Sequence, residues 1–326
     1  MSREEAARFQ YRVRPYLSGA PRPALDARLS DIAVNLFDFM ADGRIGLWDN
    51  PFRDEWINRL IAVNLELERR GEHKIKLPQL EEWVFTEKTV RLFQDQPHVF
   101  RVPSPTGIFC KYGREDYMRN FHEHGAVRLN AASYYSAHTL DPARRDDEMC
   151  LTCFVGPQDY DLGMVHASIL RIYPQRSWGE IEHVKPADHY LYCFSVSYRI
   201  RLFADFQANS CVLIHNQDKF KRRLIVGVRK ALPGWHVEIR MAKYIDPYFV
   251  LQILPNAGAE IFYFKHLRFF YQHEWRLVAL PPSNCDGPEG PLDIELGDLR
   301  DISELVVLRG HPFERPAEEP SSGAKK

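Results

Sequence analysis

The texture of the chain changes at Val102-Pro103-Ser104-Pro105-Thr106-Gly107, and that change limits the fold more than any other feature. Two prolines and a glycine so close together cannot continue a helix. Before this stretch, apolar residues recur at helical spacing. Leu25, Leu29, Ile32, Leu36 and Met40 predict one helix, with Asp42-Gly43 as its stop. Asn50-Pro51 opens a second helix, where the missing N–H of proline costs nothing. Trp56, Leu60, Val63 and Leu67 mark its buried stripe, and Gly71 ends it. A weaker helical pattern runs from Leu80 to Phe93.

Beyond the linker the runs are short and extended. Strands are expected at Ile108–Tyr112, Val127–Asn130, Tyr190–Val196, Cys211–His215, Trp235–Arg240, Glu260–Phe264, Arg268–Leu280 and Glu304–Leu308. A helix through Tyr117, Met118 and Phe121 should end near Gly125, and Arg199 to Phe206 leans helical. This order predicts an α+β protein: a helical N-terminal accessory domain over 1–105, then an α+β domain with a mostly antiparallel sheet over 106–314. The tail, 315–326, is rich in Pro, Glu, Ser, Gly and Lys, a composition that predicts disorder.

With 45% apolar and 13% aromatic residues the chain has the material for a packed core. Its formal net charge of −1, with both signs interleaved, sets up no global field toward a nucleic acid or a membrane. No run approaches the roughly 18 apolar residues that cross a bilayer. Met1-Ser2-Arg3-Glu4-Glu5 is too polar for a signal peptide, and 6 cysteines in 326 residues do not make a disulfide framework. A cytoplasmic protein with no membrane partner is expected.

Familiar motifs are absent: no Walker loop, no G-x-G-x-x-G, no G-x-S-x-G, no H-E-x-x-H. Cys150-x-x-Cys153 lacks the second cysteine pair of a structural zinc site, and His122 and His124 on one helix would point to different faces. Two reduced core thiols and no metal are expected there. Lys219, Lys221, Arg222 and Arg223 form a basic run that suits phosphates, but also reads as a solvated helix face.

Four segments carry the remaining chemistry. They are Lys111-Tyr112-Gly113; Arg128 to Tyr135 with Asn130, followed by the charged turn Arg144-Arg145-Asp146-Asp147-Glu148; Tyr192-Cys193-Phe194-Ser195-Val196-Ser197; and Gln272-His273-Glu274-Trp275-Arg276. The last is the most telling. It sits among Phe269, Phe270, Tyr271, Leu277 and Val278, where polar groups are costly unless paired or lining a cleft. In an extended segment Gln272, Glu274 and Arg276 share one face. Such a Glu suits a base or the stabilisation of a developing cation; the plainer reading is a Glu–Arg pair bonded to neighbouring strands.

In this order the four segments resemble the ADP-ribosyltransferase-like superfamily, and within it a bacterial toxin and antiphage-type group with KY, ND-E, CFS and E-W-R signatures. The resemblance covers roughly 108–280 and leaves the N-terminal helices unmatched. It implies a split antiparallel sheet with NAD in a cleft, NAD being a substrate and no metal being needed. Carried over, Lys111 or Tyr112 would hold the ribose or diphosphate, with Tyr112 close to the Glu274 carboxylate. Asn130 and Arg276 would also serve NAD binding, and Ser195 would support the nicotinamide ribose. Glu274 would stabilise the oxocarbenium-like transition state and Gln272 would orient the acceptor. The first strand offers Lys-Tyr where better-known members show His or Arg, no Ser-Thr-Ser triplet follows, and an insertion separates Asn130 from Asp146-Asp147-Glu148. The implied activity is ADP-ribosyl transfer to RNA, DNA or protein, with an antitoxin or regulator at the N-terminal helices. NAD hydrolysis on the same fold, or a silent module that binds a nucleotide or protein, are the alternatives.

Overall fold

The structure is a computed structural model that describes residues 2–40, 42–48, 51–72, 87–95, 107–140, 142–156, 178–185, 187–249 and 258–309. The expected boundary at 105/106, the first part of the pattern from Leu80 to Phe93, and the tail at 315–326 lie outside the described residues.

The N-terminal region holds α1 (Arg3–Val13), α2 (Arg22–Leu36), α3 (Arg53–Arg69) and α4 (Glu87–Gln94). A capping box starts α1: Ser2 accepts from the Glu5 N–H while the Glu5 side chain returns to the Ser2 N–H. Leu25, Leu29, Ile32 and Leu36 of α2 pack against Trp56, Val63 and Leu67 of α3, as their spacing requires. The helix stops at Leu36, short of the expected Met40. Phe37-Asp38-Phe39 alternates in polarity, a strand pattern, and pairs as β1 (Phe37–Phe39) with β2 (Ile45–Leu47) in an antiparallel hairpin. Asp42-Gly43 supplies the turn of that hairpin, with Gly43 at a φ of +76° that side chains resist.

An eight-stranded sheet forms the body of the chain, and its pairs are all antiparallel. Its strands are β3 (Phe109–Gly113), β4 (Ala126–Ala131), β7 (Tyr190–Ser195), β8 (Ser210–Ile214), β9 (His236–Met241), β12 (Glu274–Leu280), β13 (Leu292–Glu295) and β14 (Ser303–Val307). The shorter β5 (Cys150–Val155) and β6 (Gly179–Val184) make an antiparallel pair, and β10 (Lys243–Ile245) and β11 (Phe264–His266) a parallel one. The protein is therefore of the mixed α+β class, with a large and mostly antiparallel sheet.

The central strand β7 sets the geometry. One edge pairs along its length with β12. The other is shared: Tyr190 and Leu191 pair with β4, while Ser195 pairs with Cys110 of β3. Between those points β3 and β4 diverge, so the sheet splits beside Cys193. The connecting helix α5 (Glu115–His124) covers one side of the split. It ends at Gly125 (φ +67°), where a Cβ would stand 2.4 Å from the Gly297 carbonyl oxygen. Helix α7 (Gln217–Ala231) packs Phe220, Leu224 and Val228 on the same sheet face, below the short α6 (Arg201–Asp205) in the chain. The basic run lies on α7: Lys219 and Arg223 bond Asp301, and Lys221 covers the Trp275 ring.

Two expected strands take another form. Glu260–Phe264 is largely a 3-10 turn (Gly258–Tyr263), and Phe264 instead begins β11. Within Arg268–Leu280, residues Leu267–Gln272 form a second 3-10 turn, His273 is left-handed (φ 44°), and only Glu274–Leu280 is strand. An apolar run without period does not separate buried strand from buried turn. Here Asn35 of α2 takes the backbone groups a ladder would use. Its amide donates to the Arg268 carbonyl (2.9 Å) and accepts from the Tyr271 N–H (2.8 Å). Arg199 holds the Tyr271 carbonyl (2.6 Å) while bonded to Asp38 (2.6 Å). Helix α2 and its hairpin thus grip the turn that delivers Glu274. Asn35→Ala orphans a buried N–H and carbonyl and should lose about 1–3 kcal/mol in urea unfolding. A loss under roughly 0.5 kcal/mol would show the grip to be idle.

Candidate functional site

Glu274 opens β12 and is 6% exposed. Its position is fixed from both backbone ends: its N–H donates to the Tyr244 hydroxyl (2.7 Å) and its carbonyl accepts from the Ala242 N–H (2.9 Å). Strand alternation puts Arg276, which is 0% exposed, on the same face. Arg276 donates twice to Glu274 Oε1 (2.9 and 2.6 Å) and makes a two-pronged bond to Glu148 (2.8 and 2.9 Å). Lys265 of β11 completes the cluster, 3.3 Å from Glu274 Oε2, 3.2 Å from Glu148 and 3.3 Å from Asp146. Lys185 stands 3.6 Å from Glu148.

Burial alone would raise both glutamates, but Arg276 and Lys265 outweigh it and hold each carboxyl below its usual range. Asp146 goes the other way, because its burial is not outweighed. The site thus presents ionised carboxylates in a dry setting, where their fields are strong.

The cluster floors a cavity of about 930 Å³ at the split in the sheet, a size that suits a nucleotide. The walls are Cys110 to Gly113 of β3, α5, and β4 through Asn130; Tyr134, Tyr135 and Phe206 add aromatic surface. Lys111, Tyr112, Asn130, Ser195, Gln272 and Glu274 all line it, so the structure brings together six of the seven residues singled out in the sequence. Arg276 is the exception. It lies beneath the floor, bonded to Glu148 and Glu274, and reaches a ligand only through them.

Several side chains are tied otherwise than the resemblance implies. The Ser195 hydroxyl lies 2.7 Å from the Gln272 carbonyl and 3.0 Å from that of Ser197, both acceptors, and so pins β7 to the turn before β12. The Tyr112 hydroxyl donates to the Ser197 carbonyl (3.3 Å) and accepts from the Arg199 N–H (2.8 Å). No hydrogen bond links it to Glu274 among the described residues, though register places both on one sheet face through Cys110 and Ser195. The Gln272 amide donates to the Ala143 carbonyl (2.7 Å), bracing the loop that carries Asp146 and Glu148. Gln272→Ala should therefore cost about 1–2 kcal/mol and lower every activity of the site together. Loss of one activity with an unchanged melting temperature would restore the acceptor role.

No protein-family model, curated protein or solved structure matches the chain. Geometry is therefore the guide to function. No group of three or more His, Cys, Asp or Glu is placed to hold a metal among the described residues, and no helix there is long and apolar enough to cross a membrane. Cys153 is buried on β5, and the His122 imidazole bonds the Ser303 hydroxyl (2.9 Å).

Lys265 and Lys185 were not singled out in the sequence. Lys265 had a signal: a lone ammonium in Ile261-Phe262-Tyr263-Phe264-Lys265, the same mismatch that marks Glu274. Lys185, in a polar stretch, had none.

Acid should loosen this region in two stages. Burial pushes His189 and His273 down to about 4, so both stay neutral in the fold while unfolded histidine titrates near 6.5. Folding stability is then lost as pH falls from roughly 6.5 toward 4. The two glutamates add a loss only below about 4.3, as pH falls toward their depressed folded values. His273→Asn keeps a residue that tolerates the left-handed turn. It should flatten part of the pH 7 to 5 decline in denaturant midpoint; an unchanged slope would assign that decline elsewhere.

Proposed function

We propose that the cleft binds NAD and that the protein transfers its ADP-ribosyl group to a macromolecule, on a sheet of the ADP-ribosyltransferase type. One observation carries this reading: an ionised, desolvated Glu274 carboxylate stands on the floor of a nucleotide-sized cavity, where β3 and β4 part from β7. Breaking the bond between ribose C1″ and nicotinamide sends the electron pair out with a neutral leaving group and leaves positive charge on the ribose. A fixed carboxylate in a water-poor site stabilises that charge. An acceptor nucleophile then adds to C1″ and releases its proton. Asn130 and Lys111 supply polar anchors for the ribose and diphosphate, and Tyr134 and Tyr135 supply ring faces. A toxin or antiphage effector fits such a reaction, with the N-terminal helices as the surface for a neutralising partner.

A silent nucleotide-binding module is favoured by one feature: both Glu274 carboxylate oxygens already have cationic partners. NAD labelled in its adenylate half separates these readings. Label fixed to protein or nucleic acid supports transfer, soluble ADP-ribose alone supports hydrolysis, and unchanged NAD in a saturable complex supports the module.

A further inference from the structure

Lys111 differs from the other buried lysines of the site. Lys265 and Lys185 are each neutralised by carboxylates. Lys111 has no carboxylate partner among the described residues. Its ammonium donates to the Cys193 carbonyl (2.6 Å) and sits 4.2 Å above the centre of the Tyr192 ring. Register explains why that carbonyl is available. Leu191 and Ser195 use this edge of β7 to pair with β4 and β3, and Cys193, midway between them, meets no strand there among the described residues. Lys111 therefore fills a gap made by the split and is one of the residues that line the cavity.

We propose that Lys111 is a covalent amine site for a phosphorylated aldose, whose open-chain aldehyde it captures as an imine. The site fits the chemistry in three respects. The residue is half-buried while its amine is shielded from water, and that desolvation lowers its pKa to about 8, so a neutral, nucleophilic fraction exists near physiological pH. The positive charge of Arg144 bears on it more than the negative charge of Glu274 does, and at this end of the cavity Lys111 and Arg144 lie with Arg114, cations that suit an anionic group such as a phosphate ester. The cavity admits a ligand as large as a nucleotide sugar. In the step itself the ammonium releases a proton to water and the nitrogen lone pair adds to the aldehyde carbon. Water then leaves with the carbonyl oxygen, forming a C=N bond. Nothing is oxidised or reduced.

Free ADP-ribose and ribose 5-phosphate share this chemistry, and neither requires the protein to cleave NAD. The inference is therefore separable from the NAD reading. The test incubates the full chain with each sugar in turn and traps imines with cyanoborohydride, followed by peptide mass mapping. Lys111 should be labelled at least about tenfold faster than exposed Lys230 or Lys243, with a rate that rises toward a plateau above pH 8 as the amine deprotonates. Faster trapping of ADP-ribose than of ribose 5-phosphate would identify a nucleotide sugar as the ligand, and the reverse a simple sugar phosphate. Mapping of the unaltered protein decides the matter without a variant, and Lys111→Arg should abolish the fast label while retaining charge. Labelling spread over surface lysines in proportion to exposure, with Lys111 slow or unlabelled for both sugars, overturns the inference. Saturable binding of either sugar in the cavity without any Lys111 imine forming overturns it equally.

Discussion

Arg276→Met is expected to cost about 3–5 kcal/mol of folding stability, the scale of breaking a buried ion pair from one side. Arg276 is fully buried and makes four hydrogen bonds to two buried glutamates. Methionine fills similar space but leaves Glu148 and Glu274 with lysines alone. Their own desolvation is then poorly offset, and both carboxyls should titrate higher. Adding Glu274→Gln to this variant removes one of the orphaned charges. The double variant should therefore be less impaired than the sum of the singles, a coupling that a double-mutant cycle in denaturant measures directly. An Arg276→Met protein within about 1 kcal/mol of the parent, with additive effects in the cycle, would mean that the network is not formed as described.

Glu274→Gln has the largest expected effect on activity. Under the NAD reading it should lower turnover by at least about a hundredfold, the scale of losing one electrostatic partner of the transition state. The substitution is not structurally silent. An amide has one oxygen: kept for Arg276, it leaves an NH2 donor facing the Lys265 ammonium, so about 1–3 kcal/mol of stability should go with it. Activity must accordingly be read well below the melting temperature of the variant. A well-folded variant with near-parental turnover would remove Glu274 from the chemistry and leave it as a member of the ion network.

Much of this was legible in the sequence because it rests on local rules. The helical stripe from Leu25 to Leu36, the glycine at the end of α5, and the strands around Phe109, Leu191 and Leu213 follow from spacing and from turn chemistry. The Gln272 to Arg276 segment stood out because charge in an apolar run demands partners, and the partners exist. What was hidden is non-local. Asn35 converts Leu267–Gln272 from strand to turn across more than half of the chain, and no property of that segment announces it. Glu148 was read only as the end of a charged turn after the second segment, with no partner named, yet it becomes the hub for Arg276, Lys265 and Lys185. Ser195 and Gln272 looked like ligand-facing groups; their bonds to backbone carbonyls show that polar residues beside a cleft also build it.

The most direct test of the central claim is nicotinamide release from NAD by the purified chain, compared with Glu274→Gln at a temperature where both are folded. The reading of the cleft as an NAD site predicts catalytic release by the parent and release at least about a hundredfold slower in the variant. Release no faster than in buffer, or equal release by both proteins, would contradict it.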